Sequence, residues 1–107
     1  MRLRKESHEL EEDDILLIAS VSDALAHPAR IKIYRFIMKA NKERRKVCNK
    51  DVVEAFNYSQ ATISQHIKKL VVSGLVEVKK DDRFSYYYAN LGMLMKYLDA
   101  TKKWPLT

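Results

Sequence analysis

The sequence predicts a mainly α-helical domain with one small β-hairpin, in the order α-α-α-α-β-β-α. Apolar residues recur at helical spacing in five segments, whereas residues 75–89 contain two short segments in which apolar and polar side chains alternate. The chain has only two glycines and is 47% hydrophobic, which is typical of a folded protein. At 107 residues it is long enough for one compact domain but too short for two cores. We expect a flexible N-terminus at residues 1–8 and one folded domain at residues 9–107.

The first helix is predicted from Glu9 to Ala26, and the last from Leu91 to Trp104. Each has two nearly opposite apolar stripes, which indicates burial from both sides. A central position in the core would explain this, but in so small a domain a second subunit is the simpler cover. We therefore predict a homodimer through the first and last helices, with these contact residues: Ile15, Leu17, Ile18, Val21, Leu94, Met95, Tyr97 and Leu98.

Proline and asparagine residues mark the limits of the second and third helices. Pro28 ends the first helix, because the residue before a proline disfavours the helical region, and proline suits the first position of the next helix. The second helix is predicted from Pro28 to Ala40, followed by a charged loop at residues 41–46. Asn49 is the expected N-cap of the third helix. Asn57 is the expected left-handed residue that ends it.

The fourth helix, predicted from Ser59 to Ser73 with Ser59 as N-cap and Gly74 after its end, is the strongest functional candidate. Apart from its apolar face, the surface of this helix has amides, hydroxyls and ammonium groups but no carboxylate. Amides pair with adenine edges, and lysines suit guanine and phosphate. The segment therefore predicts the recognition helix of a helix-turn-helix, placed in a DNA major groove. Its apolar residues share one face: Ile63, Ile67, Leu70 and Val71.

The alternating segments after this helix, Leu75–Lys80 and Arg83–Ala89, predict a β-hairpin with a short turn at residues 80–83. A hairpin that directly follows a recognition helix is a wing, so the predicted fold is a winged helix-turn-helix. Lys80 and Arg83 would lie at the tip of this wing, near the DNA backbone. The tyrosines of the second strand are expected to pack against the domain and not to stack on bases.

Charge and cysteine content narrow the class of protein. The chain has a formal charge of +6, whereas residues 1–14 contain six acids and three bases, so the body of the domain is strongly basic. A basic body suits a polyanion such as DNA, although it also serves solubility. The single cysteine excludes an internal disulfide. With no apolar run of about 20 residues and no apolar signal core, we expect a cytoplasmic protein that has no membrane partner.

Four short motifs resemble the ArsR family of bacterial and archaeal repressors. ALAHPARI at residues 24–31 resembles the family's ALADPTR-[LI], and SQATISQHIKKL at 59–70 resembles SQ-x-x-[IV]-S-x-HL-x-x-L. SGLV at 73–76 matches x-GLV, and RFSYY at 83–87 resembles GR-x-x-YY. The resemblance covers about residues 15–100. It implies a homodimer on a pseudo-palindromic operator.

Many members of that family release DNA when a metal binds, and the resemblance allows their metal sites to be compared with this chain. The best-known site is a Cys-Val-Cys near the start of the third helix, where this chain has Cys48 and Lys50. A lone thiolate beside an ammonium is a poor site for a soft metal. The other common site uses acids and histidines of the last helix, which here offers Asp99 and no histidine. We therefore predict no metal site.

The sequence thus predicts a sequence-specific regulator, most simply a repressor, that binds double-stranded DNA without a cofactor; its effector is not predicted. One alternative is a sensor that uses Cys48, whose basic neighbours would favour the thiolate, or a pocket between helices; an inert thiol is the simpler view. Another is an interaction module without DNA binding. With no Gly-rich phosphate loop and no nucleophile elbow, an enzyme is not predicted. For His66, packing is the alternative to a DNA contact. The DNA-contact candidates are Ser59, Gln60, Ala61, Thr62, Ser64, Gln65, His66, Lys68, Lys69, Lys80 and Arg83.

Overall fold

The computed structural model describes residues 10–106 and contains five α-helices and one two-stranded antiparallel sheet in that range. The predicted flexible segment 1–8 and the predicted helix start at Glu9 lie outside the described residues. The predicted order α-α-α-α-β-β-α and the winged helix-turn-helix fold are confirmed. The elements are α1 (Glu12–Ala24), α2 (Pro28–Lys42), α3 (Asn49–Phe56), α4 (Gln60–Val72), β1 (Val76–Asp81), β2 (Phe84–Ala89), α5 (Leu91–Lys102) and a 3₁₀ turn (Trp104–Leu106).

Helix α1 is shorter than predicted at both ends. At its start the backbone N–H of Glu11 donates to the carboxylate of Asp14 at 3.0 Å, which makes Glu11 the N-cap. At its end the guanidinium of Arg30 donates to the carbonyl oxygens of Ala24 at 2.7 Å and Asp23 at 3.2 Å. The carbonyls at a helix end lack partners inside the helix; Arg30 bonds both of these, and the Asp23 carbonyl also accepts the Ala26 N–H at 3.2 Å, so α1 ends two residues before the predicted limit.

The N-cap of α3 is Cys48 and not Asn49, which corrects the prediction. The backbone N–H of Cys48 donates to the Asp51 carboxylate at 2.9 Å, and its thiol donates to the same oxygen at 3.4 Å. Asn49 is instead the first helical residue, and its side chain is used elsewhere. Helix α2 extends two residues past its predicted end, to Lys42.

The predicted limits of α4 are confirmed, and each end has a local cause. Asn57 adopts φ +57°, the left-handed conformation that turns the chain between α3 and α4. Ser59 Oγ accepts the Thr62 N–H at 3.1 Å. Gly74 follows the C-cap residue Ser73 at φ +86°, where a Cβ would also lie 3.0 Å from the Met93 methyl carbon. These local features determine where α4 begins and ends.

The hairpin has an antiparallel register from Val76 opposite Ala89 to Asp81 opposite Phe84. Asp82 and the following residue form the turn, and Asp82 has φ +63°, a conformation that aspartate tolerates better than most residues. The turn is therefore two residues long and shorter than predicted. The base of the hairpin is tied to the domain, because the Tyr87 N–H donates to the Val47 carbonyl at 2.8 Å.

The core lies between α1, α2, α3, α4 and the base of the hairpin, and α5 packs along α1. Ser22 Oγ and the Tyr97 hydroxyl lie 3.1 Å apart, and Lys103 pairs with Asp14 at 3.1 Å. A second face of α1 is thus covered by α5 of the same chain. Within residues 10–106, no helix combines the length and apolar character needed to cross a bilayer. The largest fully buried side chains are Ile33, Ile37, Ile63, Leu70, Leu75, Val21, Val47, Val52 and Val76.

Candidate nucleic-acid interface

Helix α4 has one buried face and one polar face exposed to solvent. The buried face packs into the core through Ile63, Ile67 and Leu70. No carboxylate occurs between residues 59 and 73, so the polar face offers hydrogen-bond donors and positive charge without acidic repulsion of phosphate. Five of the predicted DNA-contact residues are exposed in a row along this face: Gln60, Ala61, Ser64, Gln65 and Lys68.

At the start of α4, Ser59 and Thr62 are engaged with each other. The Ser59 hydroxyl donates to Thr62 Oγ1 at 2.9 Å while accepting the Thr62 backbone N–H. Their hydroxyl groups are therefore already used to stabilise the N-terminus of the helix. Gln60 and Ala61 remain as the exposed residues of the first turn, where the helix dipole favours an anion.

An amide bridge fixes the middle of α4 to the rest of the domain. Asn49 Nδ2 donates to Ser64 Oγ and to the Tyr87 hydroxyl, each at 3.2 Å, so one side chain joins α3, α4 and β2. The Asn49 side-chain oxygen is buried without a hydrogen-bond partner among the described residues. This bridge could not be predicted from the sequence, because its members are 15 and 38 residues apart and no local pattern connects them.

His66 lies on the flank of α4 that faces the junction between α1 and α2. Its Nδ1 lies 3.4 Å from a guanidinium nitrogen of Arg30, and its ring centroid is 4.8 Å from that of His27 and 6.3 Å from that of Tyr58. Burial lowers the pKa of His66 from its ordinary 6.5, and the nearby His27 and Arg30 lower this pKa further. These contacts support a packing role for His66. They also involve Arg30, which was not predicted from the sequence as a site residue.

The basic residues predicted to contact DNA differ in whether they already form an ion pair within the chain. Lys69 Nζ lies 3.5 Å from the Asp23 carboxylate, with both side chains exposed. Lys68, Lys80 and Arg83 form no ion pair with any other described residue and are exposed. The arrangement therefore presents Lys68 on α4, and Lys80 and Arg83 near the hairpin turn, as cations free to meet phosphate.

The predicted dimer-contact residues fall into two groups. Ile18 and Val21 are buried in the chain's own core, and Leu17, Leu94 and Tyr97 are half-buried against it, so their apolar surface is largely used within the chain. Ile15 is 45% exposed, Met95 54% and Leu98 41%, and Leu16, which the sequence analysis did not select, is 60% exposed. We call Ile15, Leu16, Met95 and Leu98 the exposed apolar residues of α1 and α5.

The surroundings of Cys48 differ from the basic ones predicted. Its thiol donates to the Asp51 carboxylate, while Arg45 pairs with Glu43 at 2.9 Å and Lys46 with Asp81 at 3.2 Å. The sulfur therefore contacts a carboxylate, and two of the basic side chains near it in sequence are paired with acids. Over residues 10–106, no group of three or more His, Cys, Asp or Glu residues is placed to hold a metal ion.

Comparison with known proteins finds a family whose model matches the part of this interface that lies on α4. Residues 27–78 match the model of the arsR family of bacterial regulatory proteins. The arsenical resistance operon repressor of Staphylococcus aureus is 40% identical over 48 residues, which are 45% of this chain and 46% of that protein. The chain thus aligns with just under half of this relative.

Solved structures share the fold over most of the chain. An ArsR-like transcriptional regulator from Rhodococcus sp. RHA1 has a TM-score of 0.74 at 24% identity, covering 86% of this chain and 82% of that one. The homodimeric winged helix-turn-helix DNA-binding domain Mb0332 from Mycobacterium bovis has a TM-score of 0.66 at 19% identity, covering 81% and 77%.

Proposed function

We propose that this chain, whose residues 27–78 match the model of the arsR family of bacterial regulatory proteins, is a homodimeric transcriptional regulator that binds a pseudo-palindromic site in double-stranded DNA. The exposed, acid-free face of α4, supported by a buried face on its other side, is the observation on which this proposal rests. The members of the family regulate transcription and are not enzymes. Action on DNA implies a cytoplasmic location.

Helix α4 would enter the major groove with its N-terminal half towards the bases. Gln60 and Gln65 have amides that suit adenine edges. Ser64 would contact a base or phosphate from a position held by Asn49, and Lys68 would contact the backbone. Because the bridge to Asn49 restrains Ser64, part of the ordering of this surface is achieved before DNA binds.

The hairpin would lie beside the DNA backbone with its turn near the minor groove. Lys80 and Arg83 are exposed there and form no ion pair with other described residues. Contacts of this kind supply affinity and orientation, whereas base contacts supply specificity. The wing is therefore expected to strengthen binding to all sequences alike.

A second copy of the chain would pack on the exposed apolar residues of α1 and α5. Ile15, Leu16, Met95 and Leu98 are large hydrophobic side chains that α1 and α5 leave uncovered in the single chain. A neighbour with the same fold is homodimeric. A two-fold dimer would present two copies of α4 to half-sites about one helical turn apart, or a multiple of this.

Repression is the proposed effect on transcription, since the aligned relative from Staphylococcus aureus is an operon repressor. The metal response of the family is not proposed for this chain. Lys50 stands at the second cysteine position, and the thiol of Cys48 donates to Asp51 at the N-cap of α3. One thiol held in this way, with an ammonium as its sequence neighbour, does not match the ligands that soft metals need.

The proposal is tested by selecting bound sequences from random duplex DNA and then measuring affinity by fluorescence anisotropy. We expect one enriched palindrome and a binding constant that falls steeply with salt. Gln65→Ala should reduce the preference at one base position by about 1–3 kcal/mol. Failure to bind any duplex in a salt-dependent way would favour a protein-interaction module instead.

Arg83→Ala tests the wing. This variant should weaken binding to all sequences alike and lower the slope of log affinity against log salt by about one unit, because one phosphate contact is lost. Lys102→Ala, which removes an exposed lysine at the end of α5, is the matched control and should leave the slope unchanged. The same slope for Arg83→Ala and the wild type would show that the wing does not touch DNA.

A further inference from the structure

A groove with a volume of about 710 Å³ lies between the C-terminal half of α2 and the junction of β2 with α5. It lies within the size range of small-molecule sites, and its lining is mainly apolar. Its lining residues are Arg35, Met38, Lys39, Asn41, Lys42, Ala89 and Leu91. None of them belongs to the predicted DNA-contact set or to the four residues Ile15, Leu16, Met95 and Leu98.

The charged residues of this groove all have the same sign. Arg35, Lys39 and Lys42 stand at positions i, i+4 and i+7 of α2, so they share one helix face, and none forms an ion pair with another described residue. Like charges at this spacing destabilise a helix. The helix dipole favours cations in the last turn, but it does not account for Arg35 or for the apolar surface beside these groups.

The apolar part of the groove is formed by Met38, Ala89 and Leu91, the last of which is more than half exposed. Methionine adapts its shape to different apolar ligands. A ligand that satisfies both features has an anionic head for the three cations and an apolar body for this surface.

The groove is connected to α4 by hydrogen bonds. Asn41, which lines it, accepts the Ala89 N–H at 2.8 Å and donates to the Tyr87 carbonyl at 3.5 Å. Tyr87 in turn accepts a hydrogen bond from Asn49, which also bonds Ser64 on α4. A ligand that displaces Asn41 would therefore act on the strand that helps to hold Ser64 in place.

We propose that this groove binds a small amphipathic organic anion, with a carboxylate or phosphate head and an apolar body, and that this ligand is the effector of the protein. Binding of the anion stands on the groove alone, whereas its regulatory effect rests on the proposed function. The head group of the bound ligand would neutralise the three cations of α2 that line the groove.

Isothermal titration calorimetry of the full chain with decanoate and decyl phosphate tests the binding. Decyltrimethylammonium, which has the same tail and the opposite charge, is the control ligand. We expect the two anions to bind and the cation to bind at least tenfold more weakly. Equal binding of all three would show a non-specific apolar surface and would overturn the proposal.

A double variant, Arg35→Gln with Lys39→Gln, locates the site. It should weaken binding of both anions at least tenfold while the urea midpoint stays within the range of the control Lys96→Gln, an exposed lysine on α5. Undiminished binding would place the ligand elsewhere. If the double variant altered dimer dissociation and the wild type bound neither anion, the groove would be a contact between two copies, which also overturns the proposal.

The regulatory effect is measured with the selected DNA duplex. Saturating decanoate should change the affinity for DNA at least threefold in the wild type and not in the double variant. If the wild type binds DNA and decanoate but the two do not affect each other, the groove is not an effector site. Absence of DNA binding without any ligand would instead contradict the proposed function, so the two failures are distinguishable.

Discussion

The helix-turn-helix region and the α1–α5 pair bury their apolar residues to different extents. In α3 and α4, Val52, Ile63 and Leu70 are completely buried, whereas in α5 only Ala100 is. Helices α3 and α4 are thus anchored by completely buried side chains, whereas α5 leaves Met95 and Leu98 largely in water. The difference is what we expect if a single chain builds the proposed DNA-contact surface and a second copy covers the exposed apolar residues of α1 and α5.

The largest effect should come from Leu70→Ala, which truncates a fully buried side chain of α4. Loss of buried contacts and the remaining cavity should lower the free energy of unfolding by about 2–5 kcal/mol. This is a large part of the roughly 5–15 kcal/mol that stabilises a typical domain. Urea denaturation at fixed protein concentration measures it.

The matched control is Val72→Ala, two residues further along α4, where the side chain is 75% exposed. That change should alter the free energy of unfolding by less than about 0.5 kcal/mol. Similar losses in both variants would mean that α4 is not anchored by its buried face, and the contrast between the two regions would be lost.

The next largest effect concerns the α1–α5 pair. Introducing two carboxylates through Met95→Glu and Leu98→Glu should weaken the dimer at least tenfold, about 1.4 kcal/mol, because charge would be buried in an apolar interface. Sedimentation equilibrium measures this directly, and DNA affinity should fall with it. Lys96→Glu, on the same exposed helix, is the control for added negative charge.

If the double variant sediments like the wild type, the exposed apolar residues of α1 and α5 are not the dimer contact. The two regions would then differ in burial without differing in function. A wild-type protein that is monomeric at every concentration would have the same consequence.

The same contrast explains which parts of the structure could be predicted from the sequence. The ends of α4 depend on residues close to one another in the chain, Ser59, Asn57 and Gly74, whose conformational preferences are local, and these predictions were confirmed. The predicted ends of α1 were wrong. At the C-terminal end, Arg30 of α2 bonds the last carbonyls, a contact that no local pattern indicates. The N-cap of α3 was wrong because Asp51 binds the backbone N–H of Cys48, which left Asn49 for a contact with α4.

The apolar pattern of α1 shows what helical periodicity leaves undetermined. Two opposite apolar stripes correctly indicated cover on two sides, yet periodicity does not state which element supplies the cover. Part of it is α5 of the same chain, which leaves Ile18 and Val21 inside the core. The remaining exposed residues could be recognised only after the packing of α1 and α5 was known.

His66 provides the smallest effect and sharpens the comparison, because it lies where the two regions meet. Its Nδ1 accepts a hydrogen bond from Arg30, which also bonds the last carbonyls of α1, and so needs to be unprotonated. The pKa of His66 is lowered from 6.5 by burial and by its two basic neighbours. The unfolded chain therefore binds this proton more readily than the folded one. The stability that neutral His66 contributes is complete above pH 6.5 and decreases as the pH falls towards the folded-state pKa.

Urea denaturation at pH 7.5 and 5.5 should show a lower free energy of unfolding at pH 5.5. The decrease should be smaller in His66→Gln, which keeps a hydrogen-bonding side chain but cannot titrate. An equal decrease in both proteins would place the titrating group elsewhere and would leave the junction between α4 and α1 insensitive to protonation.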